Sequence, residues 1–227
     1  MKKMAPELSI ILPCLNEEKS LGYSIDKLNN IIKKNQYNAE IIVVDNGSTD
    51  NSQNIAKEKQ VNLIFEPKRG YGNAYLAGIK NTNGEKIIMV DPDGSYELNE
   101  LPRFVEELNQ NDFVIGNRFN NQMEKGAMHF LNRQGNKLIR LLLNLNGFKA
   151  KEVCTGFVGI KKEKLNQLDL KSPGMEFSSE FLINVSKNKL NMAEIDIKFN
   201  KRIGQAKLRR FRDGFRHLRF LLSEKLK

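Results

Sequence analysis

Two carboxylates stand two residues apart, directly after an apolar run near the middle of the chain. The run Lys86–Val90 is rich in β-branched residues, and Asp91, Pro92 and Asp93 follow it. Since proline has no N–H to donate to a ladder, we predict a strand that ends at this point. Carboxylates at this spacing can share one hard cation, Mg²⁺ or Mn²⁺, which takes oxygen ligands and also binds diphosphates. Asp-Pro-Asp-Gly is good turn chemistry as well, so the motif alone leaves both interpretations open.

Polar residues also follow the first two apolar runs, Leu8–Leu12 and Glu40–Val44. The Asp45 carboxylate could accept hydrogen bonds from a base or a ribose, or it could form an Asx-turn before a helix with N-cap candidates at Ser48–Asp50. Glu17 could belong to the site or be a first-turn acid that favours the helix dipole. The candidate residues in these two loops are Pro13, Asn16, Glu17, Asp45 and Asn46.

A basic, glycine-rich stretch lies between the third predicted strand, Val61–Phe65, and the next helix. It reads Lys68-Arg69-Gly70-Tyr71-Gly72. Glycines let a backbone approach a ligand closely, and a basic pair can meet phosphate. The stretch is neither a Walker loop nor a GxGxxG fingerprint, so by itself it is a weak signal.

The first half of the chain alternates apolar runs with helical patterns. Such alternation predicts an α/β fold with crossover units and a mostly parallel sheet, in which ligands bind outside the carboxyl ends of the strands. The second half is less regular, and we find no linker that would separate another folded domain. Its predicted helices cover 130–145, 176–187 and 207–225, and its predicted strands cover 155–160 and 192–199.

The positive charge is concentrated at the end of the chain. Of the net charge of +10 over 227 residues, +9 lies in Lys198–Lys227. Leu208, Phe211, Phe215, Leu218 and Leu222 fall on one face of a helix there, flanked by arginines. Such a helix can lie on an anionic membrane surface, or its stripe can pack on the core while the arginines are solvated. We expect no nucleic-acid partner, because the basicity is confined to one end and the strand-end acids would repel phosphate without a metal.

Composition excludes several classes. Cys14 and Cys154 are the only cysteines, and His129 and His217 are the only histidines. A disulfide scaffold, a zinc finger and a Ser-His-Asp hydrolase are therefore poorly supported. No run is apolar enough to cross a bilayer, and residues 1–6 lack the apolar segment of a signal peptide. We expect a cytoplasmic protein, peripherally associated with the cytoplasmic face of a membrane.

The order and spacing of the three acidic motifs resemble the nucleotide-sugar domain of family 2 inverting glycosyltransferases, which has the GT-A fold. Further stretches resemble the branch that transfers a sugar to polyprenyl or dolichyl phosphate, such as dolichyl-phosphate mannose synthase. The resemblance covers essentially residues 7–222, and we place a GT-A domain at 1–200 and a basic amphipathic extension at 201–227. The stretches of the second set are 116–118, 124–136, 155–157 and 202–208.

This resemblance implies roles for matching residues. Asp91 and Asp93 would hold Mg²⁺ or Mn²⁺ and the donor diphosphate. Asp45 and the Pro13–Glu17 loop would contact the nucleoside. The remaining implied roles are donor contacts for Asn46, Lys68, Arg69 and Gly70, a grip on the lipid phosphate for Arg118 and Arg133, and closure of a loop over the phosphates for Arg202 and Lys207.

Three positions depart from the family pattern. Glu152 stands where an Asp is common, Val158 where an Arg often follows the Phe, and Ala206 where a Ser precedes Lys207. These departures leave the metal pair intact but loosen the assignments on the acceptor side and around the sugar.

The implied reaction is single displacement with inversion. Because a lipid phosphate is already an anionic nucleophile, it needs no strong general base, which fits a chain with almost no histidine. The demanding tasks are charge neutralisation and alignment. The alternative is a family 2 enzyme that acts on a saccharide or protein hydroxyl, which would need a carboxylate base from the second half of the chain.

Overall fold

The computed structural model describes residues 5–144, 148, 150–204 and 210–224, with the side chains of 210–213 and 224 excepted. In this part of the chain seven strands form one sheet in the order β3-β2-β1-β4-β6-β5-β7. The strands are β1 Leu8–Cys14, β2 Ala39–Asp45, β3 Asn62–Phe65, β4 Lys86–Val90, β5 Phe113–Asn117, β6 Phe157–Lys161 and β7 Met192–Asp196.

The sheet is mostly parallel, as the sequence predicts. β1 pairs in parallel with β2 and β4, β2 with β3, and β5 with β7, whereas β6 runs antiparallel between β4 and β5. The carboxyl ends of β1, β2, β4, β5 and β7 and the start of β6 therefore share one edge of the sheet. This edge gathers the acidic motifs of the first half and the Thr155-Gly156-Phe157 motif.

Helices cover both faces of the sheet. One buried cluster includes Leu21, Leu28 and Phe104, and the other includes Tyr75 and Phe181. The β-branched strands are apolar on both sides because both sides are covered. The helices are α1 Leu21–Lys34, α2 Ser52–Glu58, α3 Tyr71–Lys80, α4 Leu101–Gln110 after a 3-10 turn at Leu98–Glu100, α5 Phe130–Asn144, α6 Lys162–Leu165, α7 Phe177–Lys187 and α8 Arg210–Glu224.

Two predicted helix starts are wrong. α1 begins at Leu21, so Glu17 lies in the preceding loop and is not a first-turn acid. α2 has Asn51 at its N-cap, so none of the candidates at 48–50 occupies that position. Asp50, the residue before the N-cap, instead accepts hydrogen bonds from the N–H and the hydroxyl of Ser52. These bonds stabilise the first turn of α2.

α8 packs through residues next to the predicted stripe, of which Leu218 is half-buried and the side chain of Phe211 lies outside the described residues. His217 and Leu221 are buried, whereas Phe215 is 66% exposed and Leu222 is 49% exposed. The alternative in which the stripe packs on the core is therefore wrong at these two residues, and Leu208 and Lys207 lie outside the described residues. The division at residue 200 stays a prediction. Within the described ranges, no helix combines the length and the apolar character needed to cross a bilayer.

Candidate active site

Asp91 lies at the end of β4 in a pocket of aromatic hydroxyls. Its Oδ1 accepts hydrogen bonds from the hydroxyls of Tyr71 and Tyr75, at 3.1 and 3.2 Å. The two tyrosines are four residues apart on α3, which places both on one face of that helix. On the other side, a Cβ at Gly156 would lie 2.2 Å from Asp91 Oδ2. Burial, and then the charge of Asp93, raise the pKa of Asp91 to about 7.

Asp93 is 5% exposed and each of its oxygens has a partner. Oδ1 accepts from the Ser95 N–H at 2.9 Å and from the Ser95 hydroxyl at 2.5 Å. Oδ2 forms an ion pair with Arg202, whose Nη1 lies 2.9 Å away. Gly94, between Asp93 and Ser95, has φ of +79°, a conformation that glycine adopts without strain.

Arg202 bridges two motifs that are distant in sequence. Its Nη2 contacts Oε1 of Glu17, in the loop after β1, while its Nη1 bonds to Asp93. The N–H of Ile203 also donates to the Asp93 carbonyl, at 2.8 Å. The Arg202 Nε is buried with no hydrogen-bond partner among the described residues. The arginine predicted to close over phosphates therefore lies against an acid predicted to bind the metal.

Asp45 organises the loop after β2. It is buried, and its carboxylate accepts from the N–H groups of Gly47 and Ser48 and from Nε2 of Gln53, at 2.9 to 3.3 Å. This is the Asx-turn interpretation of the sequence. Asn16 joins the same loop to the end of β1, because its N–H donates to the Ser48 hydroxyl and its Oδ1 accepts from Thr49 N–H. Pro13 lies in β1 beside Val44 of β2.

Asn46 ties this loop to the basic stretch. Its Nδ2 donates to the carbonyls of Glu66 and Lys68, and its Oδ1 accepts from Gly70 N–H at 2.7 Å. Lys68 and Arg69 are exposed, and Arg69 donates to the Gly47 carbonyl.

The glycines of the basic stretch serve packing. A Cβ at Gly70 would lie 2.1 Å from the Pro173 carbonyl oxygen, and one at Gly72 would lie 2.0 Å from that of Ser172. The sequence suggested that this backbone approaches a ligand. In the structure it approaches the chain before α7.

The acid pair fits a hard divalent cation. Asp91 and Asp93 supply carboxylate oxygens at one strand end, and the cationic guanidinium of Arg202 already lies against one of them. Among the described residues no group of three or more His, Cys, Asp or Glu side chains could hold a metal ion. The remaining ligands would have to come from a diphosphate and water, which is how Mg²⁺ is commonly bound.

Arg118 and Glu152 form a buried ion pair. Arg118 Nε and Nη2 donate to the two carboxylate oxygens at 2.8 and 3.0 Å, and Nη2 also donates to the Cys154 carbonyl at 2.7 Å. Burial would raise the pKa of Glu152, but the Arg118 charge and the hydrogen bonds to the carboxylate hold it below its usual value. Most of the donors of Arg118 are therefore used within the protein, and its predicted grip on the acceptor phosphate stays a prediction.

Several residues of this network were missed as site residues in the sequence. Tyr96 accepts from the Gly156 N–H at 2.6 Å and lies 3.5 Å from Arg118 Nη1. Asn136 donates to Glu152 at 2.6 Å. In the sequence, the only signs of this network were the four-residue spacing of Tyr71 and Tyr75 and the Glu at position 152, where the family commonly has Asp.

Two other predicted site residues lie apart from this network. Arg133 is exposed on α5 with its guanidinium 5.8 Å from the Phe119 ring centroid, and Lys207 lies outside the described residues.

Comparisons with known proteins identify the family of this chain. The family model for glycosyl transferase family 2 matches residues 9–169. The low-salt glycan biosynthesis hexosyltransferase Agl6 of Haloferax volcanii is 32% identical over 96% of this chain, which spans 54% of that protein. The dolichyl-phosphate hexose transferase of the same organism is 30% identical over 92% of this chain and 89% of its own length.

The fold is also found in solved structures. Glucosyl-3-phosphoglycerate synthase from Mycobacterium tuberculosis, in complex with Mg²⁺ and uridine diphosphate, superposes with a TM-score of 0.77. It is 20% identical and covers 96% of this chain, which covers 79% of that one. The chain therefore belongs to glycosyl transferase family 2, and it is a glycosyltransferase with the GT-A fold.

Proposed function

We propose that this glycosyltransferase moves a hexosyl group from a UDP- or GDP-linked sugar to the phosphate of a polyprenyl or dolichyl monophosphate. The observation that carries the proposal is the acid pair Asp91 and Asp93, at the sheet edge that also holds Glu17 and Asp45. The name of the dolichyl-phosphate hexose transferase supports the acceptor, and structures of the related synthase with Mn²⁺ and UDP-glucose support a metal and a nucleotide sugar.

Asp91 and Asp93 would hold Mg²⁺ or Mn²⁺ together with the donor diphosphate. The ion would neutralise charge on the leaving nucleotide. Gly156 and the two tyrosine hydroxyls fix the orientation of Asp91, and Ser95 fixes that of Asp93. At this end of the site the protein holds the two carboxylates in a fixed orientation before the donor binds.

The loops after β1, β2 and β3 would hold the nucleoside and the diphosphate. Asn16 and Asn46 join these loops to one another, so they form one surface. The Asp45 carboxylate would accept hydrogen bonds from the nucleoside in addition to those it accepts within the loop. Lys68 and Arg69 are exposed beside it. Arg202, and Lys207 beyond it, would contact the phosphates once Arg202 leaves Asp93.

The acceptor phosphate would attack the anomeric carbon in line with the leaving diphosphate, with inversion. An anionic phosphate requires no proton transfer to become a nucleophile. Cationic side chains near the acceptor would offset the repulsion between two phosphate groups that approach each other. In this proposal Arg118 is a positioning residue, held by Glu152, and not a direct ligand of the acceptor.

We further propose that the protein works at the cytoplasmic face of a membrane. Phe215 and Leu222 present an exposed apolar stripe on α8, and the sequence around that helix is strongly basic. An amphipathic basic helix binds an anionic interface through burial of apolar area and through charge attraction. The acceptor is a lipid, so its phosphate is presented at such a surface.

One incubation tests the reaction. The protein is mixed with labelled UDP- and GDP-sugars, with Mn²⁺, Mg²⁺ or EDTA, and with undecaprenyl phosphate or undecaprenol in detergent. We expect one donor to label the lipid fraction, only with the phosphate and only with metal. Label in undecaprenol, or in an added saccharide, would instead support a hydroxyl acceptor.

A further inference from the structure

The chain that precedes α7 packs directly on the basic stretch at the start of α3. The N–H of Asn73 donates to the Pro173 carbonyl at 3.1 Å. A Cβ at Gly72 would lie 2.0 Å from the Ser172 carbonyl oxygen, and one at Gly70 would lie 2.1 Å from the Pro173 carbonyl oxygen. Because backbone meets backbone here with no side chain between, a shift of one segment must shift the other.

An ion pair between α8 and the N-cap of α7 covers the next residue of this segment. Nη2 of Arg216, on α8, donates to Oε1 of Glu176 at 2.8 Å. The same oxygen accepts from the N–H of Gly174, at 3.2 Å. A Cβ at Gly174 would lie 2.6 Å from Cζ of Arg216 and 2.6 Å from Oε2 of Glu176. The ion pair therefore lies directly on the Gly174 backbone.

The Glu176 carboxylate depends on this arginine. Glu176 is 7% exposed, and its Oε2 is buried with no hydrogen-bond partner among the described residues. A buried carboxylate is stable only when charges and hydrogen bonds compensate for the water it has lost. Without Arg216, the carboxylate would keep the Gly174 N–H as its partner in this part of the chain. We expect it to turn toward solvent and to release the backbone at Gly174.

α8 is fixed against α7 by further contacts, so the fold itself brings Arg216 to its partner. Nδ1 of His217 lies 2.8 Å from Oγ of Ser179, and both residues are buried. Leu221 is 1% exposed and belongs to the same buried cluster as Phe177 and Tyr75. Phe177 is the first residue of α7, and its ring stacks on that of Tyr75 with 5.6 Å between the centroids.

We propose that Arg216 and Glu176 are positioning residues for donor binding. They hold residues 172–174 in place, and that segment holds the basic stretch, in which Lys68 and Arg69 would contact the donor. The inference rests on the proposed function. It gives α8 a task inside the protein, separate from the contact of its exposed apolar residues with a membrane.

Amide hydrogen exchange tests this chain of contacts without any ligand. The Asn73 N–H is bonded to Pro173, so its exchange rate reports whether the two segments stay together. We expect Arg216→Gln to speed this exchange at least about fivefold, as for the loss of a charge-assisted hydrogen bond. The N–H of Asn111, bonded to Glu107 at the end of α4, should exchange as in the wild type. Unchanged exchange at Asn73 would overturn the proposal.

Three further variants assign the effect to the ion pair. Arg219→Gln is the matched control, because Arg219 is exposed on the same helix and its loss changes the net charge equally. Arg216→Lys keeps the charge and should keep most of the protection at Asn73. Glu176→Gln removes the other half of the pair and should speed exchange as Arg216→Gln does. Equally fast exchange in Arg219→Gln would mean that charge in general causes the effect, which would overturn the assignment to Arg216.

Nucleotide affinity measures the consequence for the donor site. UDP and GDP are titrated with Mn²⁺ into the full chain by calorimetry, without lipid. We expect the nucleotide that binds the wild type to bind Arg216→Gln about three- to tenfold more weakly and to bind Arg219→Gln equally well. Urea unfolding shows whether each variant is folded. Equal nucleotide affinity in folded Arg216→Gln and the wild type would reduce the ion pair to a structural contact and overturn its positioning role.

Two outcomes separate this inference from the proposed function. If Arg216→Gln exchanges and binds nucleotide like the wild type, while the wild type labels polyprenyl phosphate, the positioning role fails and the proposed function stands. If Arg216→Gln exposes the Asn73 N–H and weakens nucleotide binding, but no donor labels polyprenyl phosphate, the proposed function fails and the positioning role stands.

Discussion

Arg202 forms an ion pair with Asp93, in which Nη1 lies 2.9 Å from Oδ2, and this contact joins the loop after β7 to the motif proposed to bind the metal. The same guanidinium contacts Glu17, so one cation lies between two acids at the edge of the sheet. In the proposed site Arg202 would compete with the metal ion for the Asp93 carboxylate. The phosphates of the nucleotide would approach the same arginine.

Removal of this competition should strengthen metal binding. For Arg202→Gln we expect Mn²⁺ affinity without nucleotide to rise about five- to tenfold, because the carboxylate loses a charge-assisted partner. Sugar transfer should fall, because the phosphates lose a cation. Mn²⁺ binding is measured by electron paramagnetic resonance.

Lys201→Gln is the matched control. Lys201 pairs with Glu124 at the surface, so its removal should leave Mn²⁺ affinity unchanged. Equal Mn²⁺ affinity in Arg202→Gln and the wild type would contradict the competition.

Gly156 should be sensitive to a single methyl group. In Gly156→Ala the new Cβ would meet Asp91 Oδ2 at 2.2 Å, so Asp91 must move away from its tyrosine partners. We expect a loss of about 1–3 kcal/mol in unfolding free energy from overpacking, and at least tenfold weaker Mn²⁺ binding.

Gly135→Ala is the control for this change. Gly135 lies within α5, and a Cβ added there would meet no neighbouring atom within 4 Å, so alanine should stabilise the helix by about 0.5–1 kcal/mol. Urea unfolding and Mn²⁺ titration of both variants check the pair. Normal Mn²⁺ binding in Gly156→Ala would show that Asp91 is not held as described.

The Glu152 carboxylate should be required for stability. Glu152→Ala leaves Arg118 buried without its partner, which we expect to cost about 3–5 kcal/mol in unfolding free energy. Glu152→Asp, with a shorter acid, should cost less. A small loss in Glu152→Ala would mean that Arg118 reaches water or another partner.

The same pair predicts an effect of acid. The pKa of Glu152 is held below its usual value in the folded state, so its contribution is present above the unfolded pKa of about 4.3 and is lost as pH falls through the lower folded pKa. The wild type should therefore lose unfolding free energy below about pH 4, and Glu152→Gln should lose less over the same interval. Urea unfolding from pH 7 to pH 3 measures both.

The exposed stripe of α8 should determine vesicle binding. Phe215→Ser and Leu222→Ser should each reduce co-flotation with phosphatidylglycerol vesicles, because apolar area buried at the interface is lost. Phe65→Ser is the matched control, since Phe65 is 61% exposed and lies on β3, an edge strand of the sheet. Equal flotation of all variants would contradict a role for α8.

The position of the acidic motifs at one edge of the sheet could be predicted from the sequence, because each motif directly follows an apolar strand. Parallel strands end at one edge, so Glu17, Asp45 and Asp91 had to lie near one another. The alternation of apolar runs and helical patterns sufficed to predict that β1–β5 and the helices between them exist, but not where α1 and α2 begin.

The contacts around Asp91 could not be predicted from the sequence, because they depend on the pairing register of strands that are distant along the chain. The antiparallel insertion of β6 brings Gly156 to Asp91, and no local pattern encodes that pairing. In the sequence Arg118 and Arg133 could not be distinguished, because each is an arginine in a stretch that resembles the family. The structure separates them, because Arg118 is buried against Glu152 while Arg133 is exposed on α5.

Lipid-linked transfer by the wild type and by Asp91→Ala and Asp93→Ala, with Mn²⁺ and with EDTA, tests the proposed metal site and reaction most directly. Polyprenyl phosphate and the donor found in the panel are supplied, and label is extracted into the lipid phase. We predict metal-dependent label with the wild type, and its loss in both variants at unchanged folding. Full transfer by either variant, or by the wild type in EDTA, would contradict the assignment of Asp91 and Asp93 as the metal site of a polyprenyl-phosphate sugar transferase.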